Sequence, residues 1–251
     1  MRHILFVLIA GVLLTIGCVE IRTPVPTLPR LPQPPLMPTP IRPIKPHRPH
    51  RGDPDDYLGA TVGGRTHADG TDVQCDLPGE FQIHNSAGTD GAGLCVFASM
   101  HHAGVWQSDP IFEGLFTWMK RHPGGGYPQK VDAMVQQFVK EKGGVLPIYI
   151  QVEDNDLEIL RLACANGYMP GVTYSFSPTG RYNGQKIAHM VNIVCATASH
   201  FVILDNNYPG IDNYEWLSPS EFLKTYSGQG QGWTVILLSP SPPPPPRKRA
   251  S

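Results

Sequence analysis

A cysteine, a histidine and an Asp-Asn pair are the residues of this chain whose types and order suit nucleophilic chemistry. Cys95 follows a run of small residues, Gly91-Ala92-Gly93-Leu94, and begins a predicted buried helix that continues from Val96 to Val105. A thiol in the first turn of a helix lies at the positive end of the helix dipole, which favours the thiolate. Because the thiolate is the nucleophilic form of cysteine, Cys95 is the candidate nucleophile.

A nucleophilic cysteine needs a base and a group that orients the base, and both are predicted on one β-hairpin. Ala188 to Cys195 and His200 to Asn207 are strand-like runs with a short connection, so they should pair as antiparallel strands. A two-residue loop places His189 opposite Asn206, whereas a three-residue loop places it opposite Asp205. The connection lacks the Asn-Gly pair that would fix its length. The sequence therefore narrows the orienting residue to two candidates, Asn206 and Asp205.

The elements around these residues are predicted to be helical first and strand-like later. Pro110 at a helix N1 position, followed by apolar residues at helical spacing, predicts a helix over Ile111 to Arg121. The other predicted elements are a strand over Phe81 to His84, a helix over Val131 to Glu141, a strand over Leu146 to Val152, a helix capped by Asp156 and running through Cys164, and a strand over Val172 to Phe176. Together they predict a single α+β domain over residues 56–240.

This order of residues resembles that of a papain-like cysteine peptidase domain. The resemblance rests on the sequence order Cys95, His189, Asn206 and on Phe201 to Tyr208, a strand-like run followed by Asn and an aromatic residue. It covers residues 80–238. It implies an α+β fold in which an N-terminal helical part, with the cysteine on its first core helix, packs on a C-terminal antiparallel β-sheet. The chain departs from the family pattern at Thr89, where the family usually has a Gln before the nucleophile.

The resemblance also implies a role for each residue. Cys95 would attack an acyl carbon, and His189 would form an ion pair with the thiol and then protonate the leaving group. Asn206 or Asp205 would hold the imidazole in the correct tautomer.

The oxyanion that develops in such a reaction would be held by the Cys95 backbone N–H and one side-chain amide. Asn85 and Gln82 are the amides available upstream of the cysteine. Asn85 is the preferred donor, because its loop, residues 85–91, can fold back, although a turn residue is the alternative reading of this Asn.

The function expected from this arrangement is cysteine-dependent hydrolysis of peptide or isopeptide bonds in a peptide or protein substrate. Two alternatives stay open: a transglutaminase-type acyltransferase with the same triad, and a non-catalytic binding module that keeps the fold. The remaining histidines are assigned to structure, with His101 and His102 on a helix surface or in packing and His200 at a strand end. His84 is a weak substitute for the base.

No cofactor, metal or nucleic acid is expected. The 20 basic and 21 acidic residues nearly cancel, so the net charge gives no field that attracts nucleic acid. The chain has no Cys-x-x-Cys spacing for zinc, and Gly124-Gly125-Gly126 lacks the Lys-Ser/Thr of a phosphate loop. The disulfide state of Cys75, Cys164 and Cys195 is left open, and the sequence indicates no oligomeric state.

The two ends of the chain are predicted to lie outside the folded domain. Residues 1–18 have a basic head and an apolar run too short for a comfortable membrane span, and Gly17-Cys18 resembles the bacterial lipoprotein processing box. Residues 19–55 are a proline-rich linker, and residues 241–251 are a proline-rich basic tail. The protein is thus predicted to be exported, either as a membrane-anchored lipoprotein, through an uncleaved signal anchor, or as a periplasmic or extracellular protein after signal cleavage.

Overall fold

The computed structural model describes residues 70–85, 94–122, 124–210, 213–228 and 230–243. All of them belong to one unit of the chain, Lys45–Ser251. The predicted signal or lipoprotein segment, the proline-rich linker and residues 244–251 of the tail lie outside the described residues. Within the described part of the chain, no helix has both the length and the apolar character needed to cross a bilayer.

The described residues form an α+β fold with five helices and a six-stranded sheet. The helices are α1 Leu94–Gln107, α2 Pro110–Met119, α3 Pro128–Lys142, α4 Leu157–Ala165 and α5 Pro219–Tyr226. The strands are β1 Ile148–Glu153, β2 Gly171–Tyr174, β3 His189–Ala196, β4 Phe201–Leu204, β5 Glu215–Leu217 and β6 Trp233–Ser239. The predicted α+β class and the order of helices before most of the sheet are confirmed.

Helix α1 is buried on nearly every side because it lies between α2 and the sheet. Its close contact with α2 requires Gly104, where an added Cβ would lie only 2.4 Å from the backbone nitrogen of Glu113. Helix α2 begins as predicted, with Pro110 at its first position and Asp109 as its N-cap accepting a 2.7 Å hydrogen bond from the Phe112 N–H. The result is a fixed helical layer that carries Cys95.

The sheet is antiparallel throughout, in the order β1-β6-β2-β3-β4-β5. Helices α1 to α3 share one core with residues of β3 and β6, among them Met190 and Trp233. Helices α4 and α5 share a second core with β2, β3, β4 and β5, among them Val191 and Ile193. The alternation of Met190 and Val191 between the two cores is the alternation expected of a strand buried on both faces.

The β3–β4 hairpin is confirmed, but its predicted loop lengths are wrong. The connection is four residues, 197–200, and β3 carries a bulge between Ile193 and Cys195. Thr197 closes this loop: its Oγ1 accepts from the His200 N–H at 3.0 Å, and its own N–H donates to the His200 carbonyl at 2.8 Å. Because β4 ends at Leu204, the backbone partner of His189 is Tyr174 of β2 rather than a residue of β4.

Two further differences from the sequence predictions concern single elements. The strand predicted over Phe81 to His84 is absent: a 3-10 turn covers Gly79–Phe81, and the segment runs on without a sheet partner among the described residues. The elements β5, α5 and β6 were not predicted, although Ser218 and Glu221 form a complete capping box at the start of α5. Strand β6 is also the element that joins β1 to β2.

Candidate active site

Cys95 lies in the first turn of α1 and is 5% exposed. The predicted placement of the thiol at a helix start is therefore confirmed. Residues 86–93, which include the predicted loop before the cysteine and Thr89, lie outside the described residues.

His189 is the first residue of β3, and its side chain lies between Cys95 and Asp205. Its Nε2–H donates to Asp205 Oδ1 at 2.8 Å. Because Nε2 is occupied by Asp205, Nδ1 is the ring nitrogen left to contact the Cys95 thiol. The interaction with Cys95 is one of the causes that raise the pKa of His189. The structure thus brings the predicted nucleophile and base together and fixes which ring nitrogen of His189 faces Asp205.

Asp205, and not Asn206, contacts His189. The Asp205 carboxylate is fully buried. Its Oδ1 accepts from His189 and from the Asn207 N–H at 2.9 Å, and its Oδ2 accepts from the Tyr182 hydroxyl at 2.7 Å. The Arg181 guanidinium lies 3.8 Å from Oδ2. The expectation that Asn206 orients His189 is wrong, and the alternative, Asp205, has the required contact.

Asn206 instead connects the N-terminal part of α1, where Cys95 lies, to strand β3 through hydrogen bonds. Its side-chain amide donates to the Cys95 carbonyl at 3.2 Å, to Ser99 Oγ at 3.0 Å and to the Met190 carbonyl at 2.8 Å. The physical reason for the reversal is that Asp205 and Asn206 follow the end of β4 and lie in a turn, where the Tyr208 N–H donates to the Asp205 carbonyl. Consecutive side chains there point to opposite sides.

The environment of His189 favours the imidazolium. Burial lowers the pKa of His189, but hydrogen bonds with Asp205 and Cys95, together with the charges of both groups, outweigh burial and raise the pKa from 6.5 to about 9. Burial likewise opposes ionisation of Asp205, yet the hydrogen bonds from His189 and Tyr182 hold the pKa of its carboxyl below the ordinary value. The arrangement therefore stabilises a cation beside the Cys95 sulfur.

A cavity of about 410 Å³ opens onto Cys95 and His189. Apart from this pair, the described residues that line it have uncharged side chains or are glycines: Val96, Gly125, Gly126, Thr173, Tyr174, Ser175, Ala188, Met190, Tyr226, Gln231 and Trp233. Several polar lining groups are already paired within the protein. Ser175 donates to the Thr225 carbonyl, Tyr226 pairs with Thr234, and Tyr174 donates to Glu215.

Of the two predicted oxyanion donors, Gln82 is committed to the structure. Its amide donates to the Leu77 carbonyl at 2.8 Å and its carbonyl accepts from the Gly210 N–H at 2.7 Å. The Asn85 backbone N–H donates to the Asn206 carbonyl at 2.6 Å, which places the Asn85 backbone beside the turn that contains Asp205 and Asn206. Its side-chain Oδ1 is buried and has no hydrogen-bond partner among the described residues.

His102 is a buried connector rather than a surface residue. The Ile83 N–H donates to its Nε2 at 2.9 Å, so its Nδ1–H donates to Asn192 Oδ1 at 3.0 Å. Asn192 in turn donates to the Ser99 carbonyl. Burial lowers the pKa of His102 to about 4, so the ring is neutral near pH 7. Of the two roles predicted for His102, packing fits and the helix surface does not.

The remaining candidates lie away from the reacting groups. His101 donates from Nδ1–H to the Glu113 carbonyl, His200 packs edge-on against Trp216, and His84 is exposed. Cys75, Cys95, Cys164 and Cys195 are all free and buried. In the described part of the chain, no three His, Cys, Asp or Glu side chains are grouped to hold a metal ion.

The sequence analysis did not identify Tyr182, Ser99 and Asn192. Tyr182 contacts Asp205 and His189, and Ser99 on α1 is hydrogen-bonded to Asn206 and to Asn192 on β3. Only Tyr182 had a nearby sequence signal, the Asn183-Gly184 pair typical of a turn.

Comparisons with known proteins add no assignment to this geometry. No protein-family model matches the chain, and a search of curated proteins finds no significant relative.

Proposed function

We propose that this protein is a cysteine-dependent hydrolase that cleaves peptide or isopeptide bonds, with a papain-like arrangement of Cys95, His189 and Asp205. The single observation that carries the proposal is the continuous buried contact from the Asp205 carboxylate through the His189 ring to the Cys95 thiol. A structural cysteine has no need of a charged carboxylate–imidazole pair, and burial of such a pair is costly unless its hydrogen bonds are satisfied. The adjoining cavity provides room for an acyl substrate.

In this mechanism His189 holds the proton of the Cys95 thiol, so the sulfur is present as a thiolate. The thiolate attacks the substrate carbonyl carbon and forms a C–S bond, while the carbonyl electrons move to the oxygen. Collapse of this intermediate breaks the C–N bond, and the imidazolium gives its proton to the departing amine. Water, deprotonated by His189, then cleaves the thioester and restores the thiol with release of a carboxylic acid.

In both steps, the developing oxyanion accepts hydrogen bonds from the Cys95 backbone N–H and from the side-chain amide of Asn85. Support for Asn85 comes from its backbone bond to Asn206, which itself donates to the Cys95 carbonyl. Two convergent donors at this position are the usual source of transition-state stabilisation in acyl transfer.

Thiol labelling tests the proposal without knowledge of the substrate. At pH 6, iodoacetamide should modify Cys95 stoichiometrically and faster than Cys164, whose pKa is raised by burial and by its contact with Cys75. Peptide mapping by mass spectrometry identifies the labelled residue. A Cys164→Ala variant is the matched control and should keep the Cys95 reaction. Equal slow labelling of Cys95 and Cys164 in the native protein would overturn the proposal.

Activity on a pool of fluorogenic peptides gives the second measurement. Cys95→Ala should lose at least about a thousandfold in kcat/KM, whereas Cys164→Ala should retain activity. Addition of a primary amine separates hydrolysis from transfer, because an acyltransferase would form the amide product. A native protein with a reactive Cys95 but no turnover of any peptide or amine would favour the binding-module alternative.

A further inference from the structure

Tyr182 has an unusual backbone for its residue type. It lies at φ 60° and ψ 16°, and the next residue, Asn183, lies at φ 52° and ψ 35°. Residues other than glycine seldom take this left-handed conformation, and a bulky aromatic does so less readily than Asn. Such backbone persists where side-chain contacts hold it, and it is enriched at functional sites.

The contacts that hold Tyr182 are made with the candidate active site. Its hydroxyl donates to Asp205 Oδ2 at 2.7 Å and accepts from the Asn207 side-chain amide at 3.0 Å. Its ring packs edge-on against His189, with the ring centroids 6.0 Å apart at 64°. One side chain therefore contacts both the carboxylate and the imidazole of the pair.

The hydroxyl limits how the Asp205 carboxylate can turn. Oδ1 accepts from His189 Nε2 and from the Asn207 N–H, while Oδ2 accepts from the Tyr182 hydroxyl. The competing cation is Arg181, whose guanidinium lies 3.8 Å from Oδ2 and also donates to the Asn213 carbonyl. Without the hydroxyl, Oδ2 loses its hydrogen bond, and the Asn207 N–H is the remaining backbone contact that opposes rotation of the carboxylate toward Arg181.

The hydroxyl keeps its proton in this position. Burial and the neighbouring Asp205 charge raise the pKa of Tyr182 far above its ordinary value. It is therefore a hydrogen-bond donor to the carboxylate at every pH at which a cysteine hydrolase works.

We propose that Tyr182 is a positioning residue for the reaction: its hydroxyl aims the Asp205 carboxylate at His189 and so maintains the imidazolium beside Cys95. This inference rests on the proposed function, because it concerns the same three groups. The ionisable side chains around the pair come from β2, α1, β5 and the neighbouring turns. They are Tyr174, Cys95, Arg181, Tyr182, Tyr208 and Glu215, the last of which accepts from the Tyr174 hydroxyl.

The pH dependence of Cys95 alkylation tests this role, with iodoacetate and iodoacetamide as probes. An imidazolium attracts the anionic iodoacetate, so the ratio of the two rates falls as His189 loses its proton. Tyr182→Phe keeps the ring and removes only the hydroxyl. We expect the fall in the ratio to move about one pH unit lower in this variant, because one hydrogen bond to a charged group is lost.

Two comparisons separate positioning from a merely structural role. Tyr208→Phe removes a nearby hydroxyl that makes no hydrogen bond with Asp205, and it should leave the pH of the fall unchanged. In an Asp205→Asn background, Tyr182→Phe should add no further shift, as expected of residues that act through one contact. Thermal unfolding of each variant verifies that the protein is folded.

The outcomes also separate this inference from the proposed function. If the rate ratio of the native protein does not fall with increasing pH, Cys95 and His189 do not form an ion pair, and both proposals fail. A native protein with the expected fall, but a Tyr182→Phe variant that titrates at the same pH, overturns the role of Tyr182 alone. A shift of equal size in the Tyr208→Phe control overturns it as well.

Discussion

Asp205 and Asn206 are consecutive residues whose side chains hold different parts of the site. The carboxylate is committed to His189 and Tyr182, and the amide is committed to the Cys95 carbonyl, Ser99 and Met190. Replacing one has a different consequence from replacing the other. Asp205 acts on the charge of His189, whereas Asn206 acts on the position of the helix that carries Cys95.

Stability and reactivity should therefore separate in the two variants. Asn206→Ala leaves the Cys95 and Met190 carbonyls without this donor in a buried site, so we expect the free energy of unfolding to fall by about 1–3 kcal/mol. Asp205→Asn removes the carboxylate that raises the pKa of His189, so Cys95 alkylation at pH 6 should slow about tenfold or more. Urea denaturation and alkylation rates measure the two effects.

The exposed Asn213 supplies the control for this pair. Its side chain donates to the Pro209 carbonyl at the surface, and Asn213→Ala should change the free energy of unfolding by less than about 0.5 kcal/mol. Equal losses of stability in Asn206→Ala and Asn213→Ala would contradict the assigned role of Asn206.

At the scale of elements, hydrogen bonds through His102 join three parts of the fold. His102 on α1 accepts from the Ile83 N–H and donates to Asn192 on β3. The segment that contains Ile83 continues to Asn85, the proposed oxyanion donor. A neutral His102 is thus needed to hold this segment against α1, because a protonated ring could not accept from Ile83.

This connection predicts loss of stability in acid. The pKa of His102 is about 4 in the folded protein and about 6.5 in the unfolded chain. Between these values the unfolded chain binds the proton and the folded protein does not, so stability falls as pH decreases from 6.5 to 4. In a His102→Gln variant, which cannot titrate in this range, the loss of stability between pH 7 and pH 4 should be smaller than in the native protein by about 3 kcal/mol, as measured by urea denaturation at both pH values.

Other groups titrate in both proteins, so the difference between the two pH dependences isolates His102. An identical fall in the native protein and in His102→Gln would show that His102 is not neutral in the folded protein.

The elements themselves were largely predictable, but their register was not. The order of α1, α2, α3, α4, β2 and the β3–β4 hairpin follows from apolar periodicity, Pro110 and Asp156. The hairpin register depends on the Thr197 loop and on the bulge near Ile193. A shift of one residue in a strand moves every side chain to the other face, and neither feature has a strong sequence signal.

At the scale of the whole molecule, the cavity combines residues from α1, β2, β3, α5, β6 and the loop after α2. Among the described residues that line the cavity, only His189 and Cys95 have an acidic, basic or thiol side chain. A charged substrate group in such a cavity would lose its water without gaining an opposite charge. We therefore expect the proposed hydrolase to prefer acyl groups with uncharged, apolar or aromatic side chains.

A charge placed on the rim should change this preference. Ala188 lines the cavity and is exposed, so Ala188→Glu adds a carboxylate at low structural cost. We expect the native protein to cleave apolar peptides at least about tenfold better than Lys or Arg peptides, and Ala188→Glu to reduce or reverse that ratio. The measurement is kcat/KM on paired fluorogenic peptides that differ at one position.

Ala188→Gln is the matched neutral control, since it adds similar bulk without charge. If Ala188→Gln changes the preference as much as Ala188→Glu, size rather than charge governs the cavity.

The sequence by itself determined the residues that could do chemistry, the helix start at Cys95 and the α+β class. These properties depend on residue type and on local periodicity, which the linear chain contains. The tertiary structure decided that Asp205 rather than Asn206 contacts His189, that Tyr182 reaches both of them, and that His102 is a connector. The hydrogen bonds among these contacts join residues that are 16 to 90 positions apart in the chain. They depend on loop length, a bulge and the angle of a turn, and only the packed sheet and helices fix these.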